Sequence, residues 1–290
     1  MEKSISIFLK GVLMGVCDLI PGISGGTIAF ITGIYSRLIN AVKGFSPKLA
    51  IDFFKYIFRI DKESLKKDIK GLDLVFLIIL GAGIWTAIFL GSRIIVFLLE
   101  NYFVYTTSFF VGLILASSKS IYDKIETHHT KNRLFGLLGL ITGVLFAFII
   151  PIDIVPNLLY VFLGGFLAIS AMFLPGISGA FILLILGLYE FMLNVLHNIF
   201  GNIMVFIIFI LGALSGMFAI SRIISFLFRK DKCKTLYVLL GLIIGALSIP
   251  VRDIFLNGSW NILNIAAAFL FLLAGLVSAG SLDKLDRKKI

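Results

Sequence analysis

Apolar residues along the chain fall into eight long runs separated by short polar stretches. The runs cover roughly 5–42, 73–99, 104–118, 134–150, 158–196, 202–228, 235–250 and 261–278. A transmembrane helix needs about 20 apolar residues to cross about 30 Å of hydrocarbon, and six of the runs are near that length. The runs 5–42 and 158–196 are too long for a single crossing. The pattern predicts an all-α polytopic membrane protein.

The two longest runs are each interrupted at the midpoint by Pro-Gly-Ile-Ser-Gly, at Pro21–Gly25 and Pro175–Gly179. The arms on either side are about 16 residues, or about 24 Å at 1.5 Å per residue. Such arms are too short to cross a bilayer comfortably. Two short arms joined by a glycine-containing turn predict a re-entrant helical hairpin, which enters and leaves the membrane by the same face.

These two hairpin sequences are copies of one another. Phe8–Val42 and Phe162–Leu196 align without a gap at an offset of 154, and 14 of the 35 positions are identical. The repeat predicts two halves in one integral membrane domain, 1–150 and 151–290, each a hairpin followed by three transmembrane helices. Because three is odd, the second half is predicted to be inverted. Repeated apolar segments broken by glycine and proline are typical of transport sites.

Composition and charge exclude a soluble protein and favour one orientation. Hydrophobic residues make up 59% of the chain and charged residues 14%, with a mean hydropathy of +1.08. The net charge of +10 lies in loops between spans, which favours the membrane surface over nucleic acid as a partner. With both termini cytoplasmic, the predicted inside regions hold 22 of the 26 Lys and Arg; these regions are 1–10, 43–72, 119–134, 229–234 and 279–290. The basic connector 43–72 fits either an interfacial amphipathic helix or a plain loop.

Non-helical backbone within hydrocarbon is tolerated only where it is buried in protein or lines a watery cavity. We therefore expect the hairpin turns, at Pro21, Gly22, Pro175 and Gly176, to meet near the membrane midplane. Backbone amides and hydroxyls at the start of the returning arms suit an anion such as phosphate. The candidate ligands are Ser24, Gly25, Gly26, Thr27, Ser178 and Gly179. Alternatively, these glycines only permit a tight turn and close helix packing.

Three charged residues within the apolar runs are further candidates. Arg93 and Arg222 occupy equivalent repeat positions, where a guanidinium either clamps phosphate oxygens or extends its charge to the interface. Asp18 faces Met172 in the alignment, and it is either a proton-coupling site or a structural acceptor for the amides of the turn. The two cysteines and three histidines form no metal-binding pattern, so we expect no metal or cofactor.

The first hairpin carries the pattern G-x-x-x-G-x-x-D-x-x-P-G-x-S-G-G-T, from Gly11 to Thr27, and the second carries A-M-F-L-P-G-I-S-G, from Ala171 to Gly179. These residues resemble the undecaprenyl-phosphate translocase family PopT, although Ala180 stands where that family often has serine. The resemblance covers essentially the whole chain. It implies a lipid flippase of the bacterial plasma membrane, not an enzyme, which returns undecaprenyl phosphate from the outer to the inner leaflet. The lipid carrier is thereby recycled for cell-wall peptidoglycan synthesis.

Two other functions compete with this one. A secondary transporter of a small anion, such as phosphate or sulfate, would use the same turns but a wholly water-filled cavity. An undecaprenyl-pyrophosphate phosphatase also has inverted repeats and re-entrant hairpins, but it needs acidic residues beside the first turn and an arginine within the second. Here Asp18 is the one carboxylate near the turns, and the turns contain no arginine. A passive scramblase and a proton-coupled translocase share all of these residues.

Overall fold

The computed structural model describes residues 4–19, 23–44, 72–123, 125–146, 148–149, 156–258 and 261–287. Pro21 and Gly22 of the first predicted turn lie outside the described residues, as does the connector from 45 to 71 with its predicted amphipathic helix. All regular secondary structure in the described part of the chain is helical. The all-α class is therefore confirmed.

Six helices lie in the described residues of the first half. They are α1 (Ser4–Asp18), α2 (Gly25–Ile31), α3 (Tyr35–Gly44), α4 (Leu74–Thr86), α5 (Ser92–Tyr122) and α6 (Thr130–Phe146). A π-helical turn at Ala87–Gly91 joins α4 to α5. Helix α5 is kinked at Tyr102, whose backbone is not helical at φ −137° and ψ 36°.

In the second half, the described ranges form seven helices. They are α7 (Leu158–Met172), α8 (Gly179–Ile185), α9 (Tyr189–His197), α10 (Ile203–Lys230), α11 (Lys232–Ala246), α12 (Ser248–Asn257) and α13 (Ile262–Arg287). The bounds of α1 and α2 recur in α7 and α8 at the same offset of 154 that aligns the two sequences. The repeated sequence therefore makes helices that begin and end at equivalent residues.

Helix packing repeats as well. Gly83 of α4 lies against the Phe8 carbonyl of α1, and Gly212 of α10 lies against the Phe162 carbonyl of α7. Phe8 and Phe162 are aligned positions, and Gly83 and Gly212 are related by the offset of 129 that the second part of the repeat shows. A Cβ atom at either glycine would collide with the partner backbone, so both contacts depend on a residue without a side chain.

A second pair of helix contacts also places a glycine of one helix against a backbone carbonyl of another. Gly275 of α13 lies against the Phe109 carbonyl of α5, and Gly139 of α6 lies against the Val238 carbonyl of α11. Phe109 and Val238 are again 129 residues apart. The backbones of these helices approach closely at small residues, as is typical of helix pairs within membranes.

Within the part of the chain that the structure describes, three helices are long and apolar enough to cross a membrane, and a bent pair is a fourth if it counts as one span. The three are Phe97–Lys119, Ile203–Lys230 and Lys232–Asn257. The bent pair is α8 with α9, at an angle of 113°. Three of the predicted spans or arms are shorter apolar helices, at Leu74–Leu90, Leu158–Met172 and Ile262–Ser278. The protein is thus a multi-pass membrane protein, built partly from helices too short to span alone.

The returning arm of each hairpin is broken, although the sequence analysis predicted continuous arms. Gly33 separates α2 from α3 at φ +77°, and Gly187 separates α8 from α9 at φ +64°. After each glycine the chain turns back, with the Ile34 N–H donating to the Ala29 carbonyl at 3.0 Å in the first copy. This left-handed glycine with a backward hydrogen bond is a common way to end a helix. The repeated Gly-x-Tyr, at Gly33–Tyr35 and Gly187–Tyr189, is the sequence signal for both breaks.

Candidate functional site

The two hairpins meet at their turns. The backbone N–H of Gly176, in the second turn, donates to the Thr27 hydroxyl of the first at 2.8 Å. Thr27 is only 2% exposed, and Gly26 beside it lies against the Met172 carbonyl at the end of α7. The start of α2 is therefore packed directly on the second turn, in the interior of the protein.

Tyr35 makes a second link between the hairpins. Its hydroxyl donates to the Phe173 carbonyl at 2.8 Å, while its ring packs edge to face on Phe30, with centroids 5.3 Å apart. Tyr35 begins α3 immediately after the Gly33 break. Since the side chain is buried, the break in the returning arm places a phenol where it fixes the neighbouring turn. Tyr35 is one of the identical positions of the repeat, aligned with Tyr189, but the repeat alone gives it no role.

Backbone amides of the first turn are already paired within the protein. The N–H of Gly25 donates to Asp18 Oδ1 at 2.6 Å, and the N–H of Gly26 donates to the Ser24 hydroxyl at 3.2 Å. Ser24 is thus the N-cap of α2. A Cβ at Gly25 would lie 2.5 Å from an Asp18 oxygen, which explains the glycine. The Asp18 carboxylate lies where the start of a helix would bind an external anion.

In the second turn, α8 begins with the same N-cap backbone as α2, but the backbone amides lack the polar partners that Asp18 and Ser24 provide in the first turn. Ser178 has the same extended N-cap backbone as Ser24, but its side chain makes no capping hydrogen bond. Met172 replaces Asp18, and its Cβ would be 3.5 Å from a Cβ at Gly179. Ala180 is exposed, whereas its counterpart Gly26 is buried. Within the described residues, this turn is the more open of the two and lacks a carboxylate of its own.

Gly176 shows how tightly the second turn is packed on its other side. Its φ is +93°, a conformation that side chains strongly disfavour. A Cβ there would lie 2.8 Å from the Leu242 carbonyl of α11. The turn is therefore held between Thr27 on one side and the backbone of α11 on the other.

The two candidate arginines lie away from the turns. Arg222 is half-buried, and its guanidinium donates to the Phe218 carbonyl of the same helix at 3.0 Å and lies 5.6 Å from the Phe218 ring. Arg93 is exposed near the start of α5. In the part of the chain that the structure describes, neither arginine donates a hydrogen bond to either turn, so the structure does not assemble these groups into one site.

Polar groups far from the turns gather at two ends of the molecule. At one end Lys43 donates to the Ser225 hydroxyl at 3.1 Å, and Lys232 pairs with Glu126 at 3.2 Å. Lys43, Glu126 and Lys232 come from three regions that the charge pattern predicts on the cytoplasmic side. At the other end Tyr105 donates to Asn264 at 2.8 Å. The described ranges contain no cluster of His, Cys, Asp or Glu that could hold a metal ion.

An all-helical membrane protein whose discontinuous helices meet in its interior has the architecture that many secondary transporters use. Comparison with known proteins narrows this class. The chain belongs to the undecaprenyl phosphate translocase-like family, whose model matches residues 14–255. The family that the sequence motifs resemble is thereby confirmed.

Two relatives give the extent of the similarity. A polyprenyl-phosphate transporter of Vibrio cholerae serotype O1 is 38% identical over 247 residues, which are 84% of this chain and 76% of the relative. A polyprenyl-phosphate transporter of Staphylococcus aureus is 29% identical over 259 residues, covering 82% of this chain and 83% of the relative. No solved structure matches the chain.

Proposed function

We propose that this protein is a lipid flippase that returns undecaprenyl phosphate from the outer to the inner leaflet of a bacterial plasma membrane. Family membership and two relatives named as polyprenyl-phosphate transporters support this substrate class. The structural observation that carries the proposal is the hydrogen bond between Thr27 and Gly176, at 2.8 Å. It joins two discontinuous helix turns at a buried point, which is where transporters of this kind bind their substrates.

The proposed architecture is a pair of inverted repeats, each a re-entrant hairpin and three spans, with both termini in the cytoplasm. Two observations support it. Equivalent helices begin and end at equivalent residues, and equivalent glycines make the contacts between helices. Lys43, Glu126 and Lys232, from three regions predicted to be cytoplasmic, also lie at one end of the molecule. Rocking one repeat against the other would expose the turns to each side in turn.

In this proposal the lipid phosphate binds between the turns while the isoprenoid tail stays in the bilayer. Ser178 and Gly179 receive the phosphate first, because the second turn has no carboxylate of its own. Separation of Thr27 from Gly176 then opens the first turn, with Ser24, Gly25 and Gly26. Arg93 and Arg222 attract the phosphate as it approaches, since a guanidinium binds phosphate oxygens strongly.

Asp18 has two roles open to it in this cycle. Its contact with the Gly25 amide supports a structural acceptor that fills the anion site when lipid is absent. Proton coupling is the further proposal: a protonated Asp18 would no longer compete with phosphate for that amide. The variant Asp18→Asn separates these roles, because the amide oxygen of asparagine accepts the same hydrogen bond but the side chain does not titrate.

The decisive experiment measures how much undecaprenyl phosphate stays accessible on the outside of proteoliposomes over time. We expect a protein-dependent loss of accessibility without release of inorganic phosphate. Arg93→Ala, Arg222→Ala and Ser24→Ala should each slow this loss, whereas Arg252→Ala serves as the matched control because Arg252 lies on α12 and pairs with its neighbour Asp253.

Three results would contradict the proposal. Full transport by all three variants would show that these side chains do not form a phosphate site. Uptake of inorganic phosphate with no lipid movement, by folded protein, would favour a small-anion transporter. Release of phosphate from undecaprenyl pyrophosphate would show an enzyme, a phosphatase, in place of a flippase.

A further inference from the structure

A groove between α3 and the end of α10 is lined by cationic and polar side chains that have no role in the proposed phosphate site between the turns. We call it the basic groove. It has a volume of about 390 Å³, within the range of roughly 300–1,000 Å³ of ligand pockets. Its polar lining residues are Ser36, Asn40, Lys43, Ser225, Arg229 and Lys232. Ile39 and Phe228 complete the wall with apolar surface.

The groove is positively charged, and a hydrogen bond to a buried serine holds one of its lysines in place. Lys43 is half-buried and donates to the hydroxyl of Ser225 at 3.1 Å, and Ser225 is only 7% exposed. Arg229 and Lys232 are exposed at the opening. Three cations, two hydroxyls and an amide therefore surround one space, and the lining residues in the described part of the chain include no carboxylate.

Neighbouring carboxylates reduce this charge only in part. Glu126 pairs with Lys232 at 3.2 Å, but both side chains are more than half exposed, so the pair is weak. Asp231 pairs with Lys234 at 2.6 Å, and the hydrogen bond from that lysine keeps the pKa of Asp231 below its usual value. Lys43 and Arg229 have no ion-pair partner among the described residues. Among the residues that the structure describes, the groove therefore keeps two cations, Lys43 and Arg229, that pair with no carboxylate.

Helix α3 connects this groove to the second turn. Tyr35, at the start of α3, donates to the Phe173 carbonyl, and its ring lies 6.2 Å from that of Phe228 in the wall of the groove. Lys43 is eight residues further along α3, which is about 12 Å at 1.5 Å per residue. The basic groove therefore lies about 12 Å along α3 from the residue that contacts the second turn.

We propose that the basic groove binds the phosphate monoester headgroup of a polyprenyl phosphate at the membrane face, as a docking station on the way to or from the turns. Lys43 and Arg229 bind the phosphate oxygens, with Ser36 and Asn40 as further donors. Ile39 and Phe228 contact the first part of the isoprenoid tail. This inference rests on the proposed function, because it takes the ligand to be the transported lipid.

The test is a binding titration with purified full-length protein and three probes. Farnesyl phosphate carries headgroup and tail, farnesol carries the tail alone, and inorganic phosphate carries the headgroup alone. We expect farnesyl phosphate to bind more tightly than either. Lys43→Ala and Arg229→Ala should each raise its dissociation constant about tenfold, through loss of a charge-assisted hydrogen bond.

Two controls keep the result specific to the groove. Lys230→Ala removes a neighbouring cation that is exposed, lies 5.9 Å from the Phe226 ring and does not line the groove, so binding should be unchanged. Lys43→Arg keeps the charge and should bind within about threefold of the unmodified protein. The thermal unfolding midpoint of each variant shows whether it is folded.

The outcomes separate this inference from the proposed function. If folded Lys43→Ala and Arg229→Ala bind farnesyl phosphate as tightly as the unmodified protein, the basic groove is not the headgroup site. This holds even if the unmodified protein moves lipid in proteoliposomes. Equal affinity for inorganic and farnesyl phosphate overturns a lipid headgroup in favour of free phosphate. Loss of binding in both variants supports the groove, and it does so even if no lipid movement is found and the flippase proposal falls.

Discussion

The first turn pairs its backbone amides with its own side chains, whereas the second turn starts its helix with the same extended N-cap backbone but without such partners. Asp18 and Ser24 pair with the amides of Gly25 and Gly26. Their counterparts Met172 and Ser178 make no such bonds. Helix bounds in the two copies are nevertheless the same. The comparison teaches that backbone shape is set by glycines and helix packing, while polar side chains can change without altering it.

This difference gives the two turns different tasks in the proposed flippase. A turn whose donors are satisfied is stable and closed, and it needs a competing anion or a proton to open. A turn with few internal partners is ready to receive a ligand. The asymmetry lies in the side chains, so substitutions at aligned positions should produce unequal effects.

The largest expected effect comes from Gly176→Ala in the second turn. The substitution combines a disfavoured φ of +93° with a Cβ 2.8 Å from the Leu242 carbonyl, and we expect about 3 kcal/mol of lost stability. Gly33→Ala is the matched control, because Gly33 has φ +77° but nothing within 4 Å of its added Cβ. It should cost about 1 kcal/mol. Unfolding in mixed micelles measures both, and equal losses would contradict the packing of the turn on α11.

The next effect comes from the contact between the turns. Thr27→Val keeps the shape of the side chain but leaves the buried Gly176 N–H without its acceptor, at a cost of about 2 kcal/mol. Thr27→Ser retains the hydroxyl and should lose less than half of that. Denaturation midpoints compare the two variants. If valine and serine behaved alike, the hydrogen bond would not be what joins the hairpins.

Replacement of Asp18 should matter more than replacement of its counterpart Met172. Asp18→Ala removes the acceptor of the Gly25 amide and should lower stability by about 1–2 kcal/mol. Asp18→Asn should keep most of that stability. Lipid transport at several external pH values is the second measurement: pH dependence that disappears in Asp18→Asn indicates proton coupling. An unchanged pH profile would leave Asp18 as a structural acceptor.

The smallest expected effect separates the two capping serines. Ser24→Ala removes the N-cap of α2 and should cost about 1 kcal/mol. Ser178→Ala removes no capping bond, so its stability should stay within about 0.5 kcal/mol of the unmodified protein. Transport should fall in Ser178→Ala if that hydroxyl meets the phosphate. Unfolding and transport measured on the same preparations show whether Ser24→Ala lowers stability while Ser178→Ala lowers transport without a loss of stability.

Much of this architecture could be predicted from the sequence because it depends on local pattern. Apolar runs, the repeated Pro-Gly-Ile-Ser-Gly and the basic loops indicate helices, breaks and a repeat directly. The break after α2 is missed when the run 5–42 is treated as apolar from end to end, although the helix beyond Gly33 carries Ser36 and Arg37. Only the repeated Gly-x-Tyr reveals it, and a glycine inside an apolar run is also compatible with ordinary helix packing.

The candidate site was less predictable because it depends on contacts between distant residues. The sequence places Asp18 near the first turn. That its carboxylate accepts a hydrogen bond from the Gly25 amide depends on how the backbone folds between these two residues. Thr27 and Gly176 are 149 residues apart, and nothing in either local sequence names the other as a partner. The groove between Lys43 and Arg229 likewise forms only when α3 packs on α10.

The buried bond between Thr27 and Gly176 also has an electrical consequence. A bacterial plasma membrane holds a voltage, and each elementary charge that moves across 100 mV releases about 2.3 kcal/mol. A transporter with a permanent wet path through its middle would let ions drain that stored energy. Because the Gly176 amide donates to the Thr27 hydroxyl, the amide requires no water molecule as a partner at this point. In the proposed flippase, we expect the paired turns to close the path to ions while no lipid is bound.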